Sequence, residues 1–158
     1  MNPMDVAWAI LKDKQATLPS FDREQVDEML NPKRRKVVIG AKPGADAMPR
    51  EEMDRLSDEL LQELADMGVG PIYSTEGSSE WGSEPSFVVG DVGEDKMEAL
   101  RELAGRFGQE AIVVDEDGSP RFENPETGET MMEFGGSRFN PEAPYHTRFQ
   151  TGQKWEFT

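Results

Sequence analysis

Apolar residues recur with two different periods along this chain, and the switches between them mark out its elements. Between Pro49 and Met67 the apolar positions Met53, Leu56, Leu60, Leu61, Leu64 and Met67 fall mostly three or four apart, with Glu and Asp between them. That spacing predicts a helix with one buried stripe. Glu51 and Glu52 suit its first turn, and Gly68 suits its end. A second such helix is predicted from Glu94 to Phe107, with Met97, Leu100, Leu103, Ala104 and Phe107 on one side and Gly108 as its stop. Short β-branched or aromatic runs predict buried strands at Val37–Ile39, Ser86–Val89 and Ala111–Val114. A further strand is expected between Val69 and Thr75, around Ile72 and Tyr73. Glu76 to Pro85, rich in Gly and Ser, reads as a polar loop.

In order these elements run strand, helix, strand, strand, helix, strand. That is the order of the split β-α-β, ferredoxin-like unit. The expected class is α+β: a two-layer sandwich in which two main helices cover one face of an antiparallel sheet. Residues 36–118 form this expected core. Residues 1–35 read as a helical extension. Asn2-Pro3 suits a helix start, Val6, Trp8, Ile10 and Leu11 follow, and a second short helix begins near Asp22 and ends at Asn31-Pro32. Residues 119–158 read as hairpins packed on the core. Asp117-Gly118, Asn124–Gly128 and Thr151-Gly152 supply the turns, while Gly135-Gly136, Pro141 and Pro144 loosen the chain between them.

Charge changes this picture more than composition does. The 158 residues carry a net −15, and the imbalance is one-sided. Residues 1–50 hold 9 Lys and Arg against 7 Asp and Glu, whereas the remaining 108 hold 8 against 25. Such a field opposes nucleic-acid binding, which is driven by neutralising phosphates, and favours encounter with basic protein surfaces. It also serves solubility alone. The basic run Lys33-Arg34-Arg35-Lys36 fits a phosphate contact, a contact with the chain's own acids, or a solvated strand entrance. No apolar run approaches a membrane span of roughly 18 residues, and no cysteine is present for a disulfide or thiolate site. These features suit a soluble cytoplasmic protein.

Few residues point to chemistry. The single histidine, His146, excludes paired-His metal sites, and no serine sits in a G-x-S-x-G elbow. Gly40–Ala47 links strand to helix but matches no phosphate-binding loop pattern. Asp115-Glu116-Asp117-Gly118 has oxygen donors for a hard cation but lacks the rest of a calcium loop. Glu76, Glu80 and Glu84 flank Trp81, a grouping that suits acid–base work only if their pKa values are pushed apart. No catalytic residue, metal site or cofactor is assigned. Trp8 and Trp155 are candidate docking residues, the alternative being burial against the sheet.

Two segments carry a resemblance. Trp81-Gly82-Ser83-Glu84-Pro85-Ser86-Phe87 enters a strand, and Arg106-Phe107-Gly108-Gln109 ends a helix before another strand. Together they resemble a bacterial and phage family known as domain of unknown function 3293, over residues 36–116. The resemblance implies no activity. It implies a shared surface at Trp81, Glu84, Ser86, Arg106 and Gln109, to be weighed against a structural polar cluster in which Arg106 pairs with Glu84 and Gln109 bonds backbone groups.

Three readings of function follow. The first is a non-enzymatic accessory factor that binds a basic protein surface, in its sharpest form as a mimic of nucleic acid. The second is a ligand-binding protein or enzyme using the Glu76–Ser86 loop and Gln109. The third is a structural or virion component docking through Trp8 and Trp155.

Overall fold

The computed structural model describes residues 21–42, 47–79 and 82–158. The expected first helix with Trp8 and the residue Trp81 lie outside them. Helix α1 (Arg23–Met29) is followed by β1 (Lys36–Gly40), α2 (Arg50–Asp66), β2 (Ile72–Ser79), β3 (Gly82–Val89), α3 (Glu94–Arg106) and β4 (Ile112–Glu116). The chain then forms β5 (Ser119–Glu123), β6 (Thr130–Glu133), β7 (Ser137–Phe139), β8 (His146–Phe149) and β9 (Lys154–Phe157). The class is mixed α+β. All strands join one antiparallel, curled sheet in the order β6-β5-β4-β1-β3-β2-β8-β9-β7.

Strand alternation builds two cores, one on each face. Val37, Ile39, Ile72, Phe87, Val89, Ile112 and Val114 point toward α2 and α3, whose Leu60, Leu64, Leu100 and Leu103 are fully or almost fully buried against them. Each such leucine contributes about 1.5–3 kcal/mol on burial. The intervening Val38, Tyr73 and Val88 face the other way and pack with α1 and with Phe149 and Trp155 from β8 and β9. Helix α1 is only 7 residues long, so its start is secured locally. Gln25 N–H donates to Asp22 Oδ1 at 2.9 Å, and Asp22 N–H donates back to Gln25 Oε1 at 2.8 Å.

Two expectations need correction. The described part of Glu76–Pro85 is not a loop. It is paired strand out to Ser79↔Gly82, because β8 backs β2 on its other side through Gly77↔Thr147 and Ser78↔His146. The C-terminal hairpins continue the same sheet, since β5 pairs with β4 and β8 with β2. The stretch after Gly135-Gly136 forms β7 against β9. The curl brings distant strands together: the Phe122 and Phe157 rings lie 6.5 Å apart, Gly135 N–H donates to Thr158 O, and Thr158 N–H donates to Gly136 O.

Candidate functional site

The corner where α3 ends is built by Gly108. Its φ of 71° is a left-handed conformation that costs glycine little, and it turns the chain so that Gln109 N–H reaches back to Ala104 O at 3.0 Å. Gln109 then lies beside the end of β1. Its Oε1 accepts from Gly40 N–H at 3.2 Å, and its Nε2 donates to the Lys42 carbonyl. Both ends of the amide are therefore occupied by main chain. The fit is close, since a Cβ on Gly40 would stand 3.3 Å from Gln109 Oε1. Gln109 is a staple between the α3–β4 corner and the β1 exit.

Beyond this staple lies a groove of ≈ 680 Å³. Met48, Met53 and Phe122 give it apolar walls, while Lys42, Glu84 and Glu110 bring charge to it. Its origin is a mismatch of strand lengths. Strand β1 pairs with β3 only as far as Gly40↔Ser86, whereas the β2–β3 hairpin continues to Ser79↔Gly82. Half-burial holds the Glu84 carboxyl above the usual glutamate range; the Lys42 ammonium opposes this and the Glu76 carboxylate adds to it.

The other candidate residues separate from this groove. Ser86 is buried: its hydroxyl lies 2.8 Å from that of Thr75, and Thr75 Oγ1 donates to the Ser86 carbonyl at 3.0 Å. It is a satisfied cross-strand contact. Arg106 does not pair with Glu84. It reaches Glu63 of α2 at 3.5 Å, both groups being largely exposed. Glu76 is held by Arg50, which also pairs with Asp54 at 2.9 Å, so it does not share a site with Glu84 as a free carboxylate. Trp155 is 0% exposed and packs edge-on against Phe157, so its ring is not available for docking. His146 Nδ1 sits 2.8 Å from the Ala143 carbonyl.

The basic run and the acidic turn meet each other. Arg35 pairs with Glu94 at 2.7 Å and Glu116 at 3.2 Å, and Arg34 with Glu28 at 3.4 Å. Lys36 and Asp115 are directly opposite on β1 and β4, almost wholly buried, with Nζ 3.8 Å from Oδ2. Lys36 also donates to Arg34 O at 2.7 Å and Asn31 O at 3.2 Å. Burial pushes the lysine down and the aspartate up, and their mutual attraction opposes both shifts. Sequence patterns held no signal for this pair, because it follows from strand register.

Part of the chain is similar to the DUF3293 family. The model of this family, described as a protein of unknown function, matches residues 40–112. No curated protein sequence matches the chain. The matched stretch begins at Gly40 and ends at Ile112, so it includes the staple, the β2–β3 hairpin and both long helices. Among the described residues no helix is long and apolar enough to cross a membrane.

Proposed function

We propose that this chain is a non-enzymatic binding protein whose outer helical face engages a basic surface on a partner protein. One observation carries the reading. Helix α2 bears seven carboxylates in 17 residues, and its two arginines are already paired, Arg50 with Glu76 and Asp54, Arg55 with Glu59. Arg34, Arg35 and Lys36 of the basic run are likewise engaged by the chain's own acids. What remains toward solvent on that face is negative, which speeds and orients encounter with cations. Carboxylates at phosphate-like spacing on this helix are the sharper form of the same reading.

A charge-matched comparison tests it. One variant changes Glu51→Gln, Glu52→Gln and Asp66→Asn on α2. The control changes Glu126→Gln, Glu129→Gln and Glu142→Gln, which are exposed in the C-terminal part. Both lose three charges. On immobilised polylysine the α2 variant elutes at clearly lower salt than the control. Equal elution means that only net charge matters, and the reading fails.

The groove beside β1 favours a second reading, a ligand site, because Glu84 and Gln109 both line it. The order β4-β1-β3-β2, with α2 and α3 packed on one face, supports a ferredoxin-like unit inside the larger sheet.

A further inference from the structure

A cleft of ≈ 290 Å³ opens between α2 and the β2–β3 hairpin. Asp54 and Asp58 line it from successive turns of α2, and Glu76 adds a third carboxylate from β2. Arg50 neutralises only part of this charge. Both Glu76 oxygens accept from its guanidinium, and its Nε donates to Asp54 Oδ1 at 2.9 Å. Asp54 Oδ2 and both oxygens of Asp58 have no hydrogen bond or ion pair among the described residues. Ser57 lines the same cleft. It is 6% exposed, and its hydroxyl has no hydrogen-bond partner. A buried hydroxyl left in that state carries a desolvation cost that a bound polar group relieves. Leu61, Pro85 and Phe87 supply an apolar wall. Desolvation and the neighbouring Asp54 carboxylate hold the Asp58 carboxyl above the usual aspartate range, and a cation in the cleft opposes that shift.

We infer that this cleft receives one lysine side chain of the partner protein, with its ammonium on Asp58, Asp54 and Ser57 and its stem along Leu61 and Phe87. An ammonium has three donors and no acceptor, which matches open acceptors on three residues. The planar fork of a guanidinium suits them less, and Arg50 already fills that role on Glu76. A divalent ion is opposed by the Arg50 charge, and no acidic cluster fit to hold a metal occurs among the described residues. The volume lies at the lower limit of ligand pockets, roughly 300 Å³, and so suits a single side chain. The inference rests on the reading that the α2 face meets a basic protein, and it names the point where one cation is held.

The test titrates the whole chain with Nα-acetyl-lysine methylamide, with the same compound acetylated on Nε, and with n-butylamine, following backbone amide shifts. The capped lysine is expected to shift Ser57 and Asp58 saturably, with Kd below about 10 mM, and the neutral Nε-acetyl form is not. Asp58→Asn weakens binding at least about five-fold, the equivalent of about one charge-assisted bond. Glu126→Gln removes the same charge from an exposed site in the C-terminal part and changes binding less than about two-fold. Ser57→Ala also weakens binding without lowering the thermal midpoint, because its hydroxyl has no bond to lose in the free chain. No saturable shift, equal shifts with the neutral form, or equal effects of the Asp58 and Glu126 variants overturn the inference. Binding of n-butylamine without binding of the capped lysine makes the occupant a free amine and overturns it too. The α2 variant for polylysine elution keeps Asp54, Ser57 and Asp58, so the cleft and the acidic face fail separately.

Discussion

Replacing Gln109 by Met tests whether the R-F-G-Q corner is structural or a ligand contact. Methionine keeps the length of the side chain and removes both polar ends. The change deletes the bond to the Gly40 N–H and the bond to the Lys42 carbonyl. Each contributes about 1 kcal/mol net, and the buried Gly40 N–H is left without its partner, so the expected loss is about 2–3 kcal/mol. Gln109→Ala adds only a modest packing loss, because the side chain is half-exposed. Urea unfolding reads the loss as a lower midpoint at unchanged slope. Hydrogen exchange reads it locally, as faster exchange of the Gly40 amide. A loss below about 0.5 kcal/mol with unchanged Gly40 exchange refutes the staple and returns Gln109 to the list of ligand contacts.

The buried Lys36–Asp115 pair predicts that Asp115→Ala, which strands the lysine, costs roughly 3–5 kcal/mol by chemical denaturation. Lys36→Met combined with Asp115→Leu costs less than that single change; an equal or larger cost refutes the pairing. Glu84 has a raised folded-state pKa, so the folded state holds its proton more tightly than the unfolded chain. Its penalty is absent below the ordinary value of 4.5, grows as pH rises through the raised value, and persists above it. Glu84→Gln therefore stabilises the protein at pH 7 relative to pH 4, and a pH-independent difference between the two unfolding midpoints contradicts the shift. Trp155→Ala leaves a large cavity in the second core and costs about 3–5 kcal/mol. Trp155→Phe costs less, because the indole N–H has no hydrogen-bond partner to lose. Thermal midpoints that rank the two the other way refute the burial argument.

Both long helices were legible because their stripes follow one period over 13 or more residues, and their ends carry local marks such as Gly68 and Gly108. The four strands β1–β4 were legible where both faces are buried, as at Val88-Val89 and Val113-Val114. Legibility failed wherever a strand is defined by its neighbour. Glu76–Ser79 and Gly82–Pro85 are polar and half-exposed, so no alternation distinguishes them from a loop. Their strand character comes from pairing with each other and from β8, sixty residues and more away in sequence. Strand β7 has three residues and exists as the partner of β9. The site shows the same division. Gln109 as a backbone bond-maker was readable from a polar residue just past a helix stop. The pairing of Arg106 with Glu63 rather than Glu84 required the relative placement of α2 and α3.

Strand length connects the family pattern to the groove. Strand β1 has 5 residues and the two strands of the hairpin beside it have 8 each, so an antiparallel sheet built from them must open at one end. The opening would fray without something to hold the β1 exit, and Gln109 supplies that hold from the other side of the gap. The corner residues Gly108 and Gln109 and the strand residues Ser83–Pro85 therefore belong to one device with two parts. One part fixes the shape of the gap and is saturated by main chain. The other carries the half-buried Glu84 carboxyl at the rim of the groove. Acidity is separable from this device, since the densest carboxylates stand on α2. A variant that neutralises α2 and Glu84→Gln consequently perturb different parts of the molecule. If both abolish the same binding event, the partner spans the helical face and the groove together, and its footprint must run from Glu52 across Met53 to Glu84.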